Sequence, residues 1–223
     1  DVPSPNGRRR AFTRAGNVWV SDADGENEIQ ITFDGGEKTR IRNGVGSYVY
    51  LEEFNVRSPV WWSPDGSKLA WMRYDETQVE DYRLQLDQTK AISTMLVQAF
   101  PQAGRANPQA DLLVHHFADG STRRMDVRGG EAFTNETVGH YVWAAQWTAD
   151  GREILTRRAD RLQKINDLAA CDPATGACRS VARETRRTWA AADAPRFLAD
   201  GRRFIWASER TGFRNFYLFD LEQ

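Results

Sequence analysis

Two adjacent glutamates stand out in the stretch YVYLEEFNV, residues 48–56, because they follow an aromatic and aliphatic run directly. A Thr or a Val would have continued the strand pattern at Glu52 and Glu53. Two carboxylates that converge can hold a protonated amine. At about 4 Å each contributes roughly 4 kcal/mol of Coulomb attraction at an effective dielectric of about 20, before desolvation is subtracted. Charge-assisted hydrogen bonds give such a contact direction, so the pair could orient a ligand's amino group.

The backbone around the pair must leave strand geometry for the carboxylates to converge, because adjacent strand residues point to opposite faces. Gly44 and Gly46 precede the pair and Pro59 follows it, and these residue types permit such a departure. We therefore expect the segment that carries Glu52 and Glu53 to leave strand geometry. Spacing alone leaves the alternative open, since an isolated Glu-Glu pair is usually a solvated acidic loop.

The remainder of the chain is organised as a repeat. Four units open at Ser4, Trp62, Trp147 and Phe197 with a turn in which Gly follows Asn or Asp, and each continues with two apolar strands separated by a polar turn. No segment of comparable length has the pattern of an amphipathic helix. The repeat predicts an all-β fold, a β-propeller of four-stranded blades forming a partial ring of about four to five blades. A β-sandwich of repeated hairpins is the alternative.

The second unit predicts two particular pairings. Residues 68–73 (KLAWMR) and 81–86 (DYRLQL) follow the two-strand order of the other units, so we expect them to be strands of one blade. The long segment before Trp147 contains another hairpin around Asp119-Gly120, which we expect to form a fifth blade-like piece. The eight Trp residues suit the wedges between neighbouring blades, which large rings fill.

Composition limits the class of partner. The chain has 30 Lys and Arg against 31 Asp and Glu, which argues against nucleic-acid binding over the whole surface. No apolar run is long enough to span a membrane, and no signal peptide is visible. An opening without Met is typical of a mature product or a fragment.

Two cysteines, Cys171 and Cys178, flank the turn sequence Asp-Pro-Ala-Thr-Gly. Two strands joined by that turn would bring the sulfurs across from each other, so we predict a disulfide, and with it an oxidising compartment. Two free thiols in a hairpin are the alternative. The histidines His115, His116 and His140 have no metal-ligand spacing, and no metal or cofactor is expected.

Three stretches together resemble one known family: VYLEEF followed by PVWWSPDGSKLAWMRYDE, then FPQAGRANP, then SERTGFRNFYLFDL. They are similar to the N-terminal propeller of dipeptidyl peptidase IV and its bacterial relatives in the prolyl oligopeptidase clan, and the resemblance covers residues 1–223. It implies an eight-bladed propeller that caps an α/β-hydrolase domain with a Ser-Asp-His triad. It further implies release of N-terminal dipeptides with Pro or Ala in second position.

The resemblance also implies a role for the glutamates. In that family a glutamate pair on a short helix of the propeller holds the free α-amine of the substrate. Here the matching residues are Val49, Tyr50, Glu52, Glu53 and Phe54, whereas Leu51 stands where some members have a third Glu.

No G-x-S-x-G nucleophile motif occurs in the sequence, so the triad cannot be assembled from this chain. The chain is therefore expected to recognise substrate, with the hydrolase domain outside it. The expected partners are peptides with a free N-terminus and the hydrolase domain of the same polypeptide. The sequence leaves open whether the parent protein forms a homodimer. A periplasmic or secreted location is expected. Two alternatives stay open: a non-catalytic interaction scaffold, and the propeller of an acylaminoacyl peptidase or oligopeptidase.

Overall fold

The computed structural model describes residues 1–191 and 193–222, and nearly all of its regular structure is β. A single turn of helix, α1 (Tyr48–Glu52), stands among the strands of the described residues. In chain order the strands are β1 (Val2–Pro3), β2 (Arg9–Arg14), β3 (Asn17–Asp22), β4 (Ile29–Gln30), β5 (Ile41–Asn43), β6 (Val60–Trp62), β7 (Lys68–Asp75), β8 (Asp81–Leu86), β9 (Thr94–Ala99), β10 (Gln109–His116), β11 (Thr122–Arg124), β12 (Tyr141–Trp147), β13 (Ile154–Ala159), β14 (Ile165–Cys171), β15 (Cys178–Thr185), β16 (Arg196–Phe197), β17 (Arg203–Ser208) and β18 (Asn215–Asp220).

Three of the sheets are simple antiparallel meanders. The first sheet has the order β1-β2-β3-β4, the third has β12-β13-β14-β15, and the fourth has β16-β17-β18. Sequential strands pair because short turns with Gly at positive φ join them, as at Gly7 and Gly151. The prediction of an all-β chain with four-stranded, propeller-type sheets is confirmed, and the sheets stay open rather than closing a ring.

The second sheet differs from the predicted pairing. Its order is β11-β10-β7-β5, and β6 also pairs with β7. The expected strand at 81–86 is not in this sheet. Among the described residues β8 pairs with β9 alone, in a separate two-stranded hairpin, and every residue of β8 is exposed. The position beside β7 belongs to β10, with Leu113 opposite Trp71.

Burial explains why β10 rather than β8 pairs with β7. A strand inside a blade is covered on both faces, and β10 meets this condition. Ala110, Leu112 and Val114 are buried on one face, and Asp111 and His115 are buried on the other. The sequence DYRLQL of β8 alternates polar and apolar residues, so one of its faces must meet water. The Asp119-Gly120 hairpin accordingly joins β10 to β11 within the second sheet, and the fifth piece of the chain is the β8–β9 hairpin.

The hydrophobic cores lie between neighbouring sheets. Along β7, Leu69 and Trp71 belong to the cluster shared with the first sheet, whereas Ala70 and Met72 belong to the cluster shared with the third. This is the period-two alternation of a strand with two covered faces. A third cluster joins the third and fourth sheets around Phe204. The expectation for tryptophan agrees with this packing, since the clusters contain Trp62, Trp71, Trp143, Trp147 and Trp206.

Cys171 and Cys178 face each other at the ends of β14 and β15 and form a disulfide. The turn between them is closed by Gly176, whose amide donates to the Asp172 carbonyl at 2.8 Å and whose φ is +84°. Cys171 is fully buried in the core between the second and third sheets, so the bridge ties a blade edge to that core.

Among the described residues, no helix is long and apolar enough to cross a membrane.

Candidate functional site

The glutamate pair lies where the chain leaves the second sheet between β5 and β6. Helix α1 begins after Ser47, whose backbone is extended, and closes at Glu53, whose amide donates to the Val49 carbonyl at 2.9 Å. Consecutive helical residues are about 100° apart, in contrast to the opposite faces of a strand. Both Glu52 and Glu53 are exposed, so both carboxylates are accessible from solvent.

Two glycines allow the chain to make this detour. Gly44 has a φ of +69°, and a Cβ there would lie 2.9 Å from the Val60 Cγ2 atom. At Gly46 a Cβ would lie 2.4 Å from the backbone oxygen of Val56. The detour is closed by the Val56 amide, which donates to the Tyr50 carbonyl at 2.9 Å. The predicted departure from the strand at Gly44 and Gly46 is therefore what the structure shows, and both positions lack space for a side chain.

Tyr50 anchors α1 to the neighbouring sheets. Its side chain is fully buried, and its ring lies 4.5 Å from that of Tyr74 in β7. The Val142 amide of β12 donates to the Tyr50 hydroxyl at 3.4 Å. Burial raises the pKa of Tyr50 well above its ordinary value, so the phenol is neutral. One aromatic side chain thus ties the helix of the second sheet to a strand of the third.

Aromatic contacts hold both ends of the segment. Tyr48, at the start of α1, lies 4.6 Å from Phe100 between ring centroids. Phe54, directly after the pair, lies 5.3 Å from Tyr141 and 4.6 Å from Trp143. The pair is therefore held between the segment that follows the β8–β9 hairpin and the first strand of the third sheet.

A polar group formed by Asn107, His140 and Tyr141 lies beside Phe54, the residue that follows the pair. The Asn107 side-chain nitrogen lies 2.9 Å from Nε2 of His140 and 2.8 Å from the Tyr141 hydroxyl. His140 is almost fully buried, with Nδ1 2.8 Å from the Thr134 carbonyl oxygen, and Tyr141 is partly buried. No sequence pattern pointed to these residues: Asn107 served only as part of the motif FPQAGRANP, and His140 was considered only as a metal ligand.

Two charged residues, Glu53 and Arg161, affect the pKa of Tyr141 in this group. Burial raises the pKa of Tyr141, and the Glu53 carboxylate raises it further, whereas the Asn107 hydrogen bond and the Arg161 guanidinium lower it. Arg161 itself donates to the Arg105 carbonyl and, at 3.3 Å, to Oδ1 of Asn135. In the part of the chain that the structure describes, neither Glu52 nor Glu53 has a side-chain hydrogen bond or an ion pair. Among the described residues no cluster of three His, Cys, Asp or Glu side chains could hold a metal ion.

Residues 2–223 match the family model described as the dipeptidyl peptidase IV (DPP IV) N-terminal region. The chain belongs to this family. It is similar in structure to the dipeptidyl peptidase 4 of Porphyromonas gingivalis, with a TM-score of 0.85 and 27% identity over 98% of the chain. Among curated proteins it is 29% identical to the "probable dipeptidyl-aminopeptidase B" of Chaetomium globosum over 80% of its length. It is also 26% identical to the "inactive dipeptidyl peptidase 10" of Rattus norvegicus over 89% of its length.

The matched region is a small part of these relatives. The chain covers 20% of the Chaetomium globosum protein, 25% of the Rattus norvegicus protein and 30% of the Porphyromonas gingivalis structure. One of the relatives is named inactive. Membership of the dipeptidyl peptidase IV family therefore establishes the propeller-type domain, and the role of its residues follows from the site and not from the fold.

Proposed function

We propose that this chain is the substrate-recognition and gating propeller of a serine dipeptidyl peptidase, and that Glu52 and Glu53 bind the free α-amine of the peptide. The observation that carries the proposal is the helical detour. Two exposed carboxylates stand on a single helical turn whose aromatic residues are packed against the second and third sheets. A solvated acidic loop needs no such anchoring.

The two carboxylates would act by positioning the N-terminus of the peptide. An ammonium group between two carboxylates gains charge-assisted hydrogen bonds, and their direction fixes the peptide's N-terminus. A nucleophile at a fixed distance from the bound ammonium group can then reach only the second peptide bond. Binding of the amine therefore selects the bond that is cleaved. We propose that the hydrolase domain of the same polypeptide supplies that nucleophile, and that substrates carry Pro or Ala in second position, as in the family that the chain resembles.

The disulfide supports a location for this activity. Disulfides persist mainly in oxidising compartments, so the Cys171–Cys178 bridge favours a periplasmic or secreted protein.

The test compares Glu52→Gln and Glu53→Gln in the full-length enzyme, on an Xaa-Pro substrate and on its N-acetylated form. A charge-assisted bond contributes about 1.5–3 kcal/mol, so kcat/KM for the free amine should fall by roughly tenfold to a hundredfold per substitution. The poor turnover of the acetylated substrate should stay the same. Glu26→Gln, at an exposed glutamate of the first sheet's β3–β4 turn, is the matched control. Equal losses on both substrates would contradict amine binding and favour a structural or scaffold role.

A further inference from the structure

Residues 100–107 connect the β8–β9 hairpin to the start of β10 without forming a strand or a helix. At the near end of this segment, the Phe100 amide donates to the Glu80 carbonyl at 3.0 Å, and the Phe100 ring lies 5.5 Å from that of Tyr82. The same ring lies 4.6 Å from the ring of Tyr48, the first residue of α1. The start of the helix that carries the glutamates therefore packs on this segment.

The far end of the segment is attached to the third sheet. The side-chain nitrogen of Asn107, which is buried, lies 2.8 Å from the Tyr141 hydroxyl and 2.9 Å from Nε2 of His140. Arg161, which follows β13, donates to the Arg105 carbonyl. Both attachments reach the third sheet at the end where β12 begins and β13 ends.

These contacts close a ring around the glutamate pair. From Tyr48 the contacts pass through Phe100 to Asn107 and across the hydrogen bond to Tyr141, whose ring lies 5.3 Å from that of Phe54. Tyr48 precedes the glutamates in sequence and Phe54 follows them. Both ends of the segment that carries the pair are therefore held by residues outside it.

We propose that residues 100–107 are a strap that positions the amine site, with Phe100 and Asn107 as positioning residues at its two ends. The inference rests on the proposed function of the glutamate pair. The strap supports α1 against the third sheet only while both of its ends are attached, so the two attachments act in series. Phe54 gives a separate support, because its ring packs directly on the third sheet. Carboxylates held in advance lose less freedom when the substrate ammonium binds, which favours tighter binding.

The first test releases each end of the strap in the full-length enzyme. Phe100→Ala releases it from α1, and the double substitution Asn107→Ala, Arg161→Met releases it from the third sheet. For an Xaa-Pro substrate we expect KM to rise about threefold to tenfold in each variant with little change in kcat. The poor turnover of the N-acetylated substrate should stay the same. Phe100→Tyr keeps the ring on Tyr48 and should keep the parent KM.

Combining the two releases tests whether they act in series. When Phe100→Ala is added to the double substitution, KM should stay within about twofold of the weaker-binding variant, because the strap is already detached. Independent effects would instead multiply to roughly tenfold to a hundredfold, and that result would refute a strap that acts as one element. Phe54→Ala combined with Phe100→Ala should multiply, because this combination removes both supports.

Phe117→Ala is the matched control for a general loss of stability. Phe117 is a half-buried ring that lies 5.4 Å from Trp62 and packs in the core between the first and second sheets. Tyr50 of α1 packs in the other core, between the second and third sheets. Phe117→Ala should lower the free energy of unfolding and leave KM unchanged. An equal rise of KM in this control and in the strap variants would mean that the strap has no special role.

Amide hydrogen exchange is the second test and needs no substrate. The Glu53 amide donates to the Val49 carbonyl, and the Val56 amide donates to the Tyr50 carbonyl, each at 2.9 Å. Release of the strap at either end should speed the exchange of both amides by at least about threefold, because the segment opens more often. The Ile31 amide, which is bonded within the first sheet, should exchange as before. Unchanged exchange at Glu53 and Val56 would overturn the proposal.

The outcomes separate the strap from the amine site itself. If Glu52→Gln and Glu53→Gln weaken free-amine substrates and the strap variants do not, the strap is refuted while the amine site stands. If the strap variants lower turnover of free and acetylated substrates equally, residues 100–107 are structural and the positioning role is refuted. If the glutamate substitutions leave free-amine substrates unchanged, the amine site and the positioning role of the strap are refuted together.

Discussion

The ring of Phe54, directly after the glutamate pair, lies 4.6 Å from the ring of Trp143 on the first strand of the third sheet. The pair belongs to the chain segment of the second sheet, yet its position depends on this contact with the third. Packing between sheets therefore controls the geometry of the candidate site. Substitutions in the interface between the second and third sheets should therefore displace the carboxylates even though neither glutamate is changed.

Phe54→Ala tests this dependence directly. Removing a partly buried aromatic ring should lower the free energy of unfolding by about 1–3 kcal/mol, less than the cost at a fully buried site. KM for an Xaa-Pro substrate should rise more than kcat falls, because the carboxylates lose their support. Denaturant unfolding and steady-state kinetics measure the two effects. Phe213→Ala, at a ring that is 79% exposed, should change neither.

Gly46→Ala tests the detour of the backbone. A Cβ there would lie 2.4 Å from the Val56 oxygen, so the turn must open to accept it. We expect a loss of about 1–3 kcal/mol in the free energy of unfolding, together with weaker binding of free-amine substrates. Gly129→Ala is the control: a Cβ there meets nothing within 4 Å, and only the positive φ of +65° opposes it. A Gly46→Ala protein as stable and active as the parent would show that the turn is adaptable.

The disulfide should contribute measurably to stability. The two cysteines are 7 residues apart in sequence, and closing a loop of this size stabilises by about 2–3 kcal/mol in the chain-entropy treatment. The double substitution Cys171→Ala, Cys178→Ala should lose at least that much, because Cys171 also packs in the core. Thiol labelling checks the bridge itself: oxidised protein should not react, and full reactivity of both thiols would refute the pairing.

His140 should make stability depend on pH. Its folded pKa is lowered, chiefly by burial, so the unfolded chain binds the proton more readily. Stability from this residue is then present above the ordinary histidine pKa of about 6.5 and is lost as pH falls below it, because protonation favours the unfolded state. The test is to measure the free energy of unfolding of the parent protein and of His140→Gln from pH 8 to pH 5, about the range in which histidine titrates. The difference between the two proteins should decrease as the pH falls. A constant difference would show that the folded and unfolded chains bind the His140 proton equally, which contradicts the lowered pKa.

Several features follow from the residues alone. Asn-Gly and Asp-Gly turns, alternating strands and excess tryptophan are local signals, and they predicted the all-β sheets and the cores between them. The glycines around the pair predicted a detour because their conformational freedom is a property of the residue type. The two cysteines lie across a strong turn signal, which predicts their pairing without reference to the rest of the molecule.

Other features depend on contacts that are distant in sequence. The partner of β7 is β10 rather than β8, because β10 buries residues on both of its faces whereas every residue of β8 is exposed. Local pattern does not say which sheets will be adjacent. Likewise Asn107 and Tyr141 are 34 residues apart, and no spacing rule joins them. Their meeting was decided by the packing of the second sheet on the third, since a hydrogen bond needs positions that only the assembled interface provides.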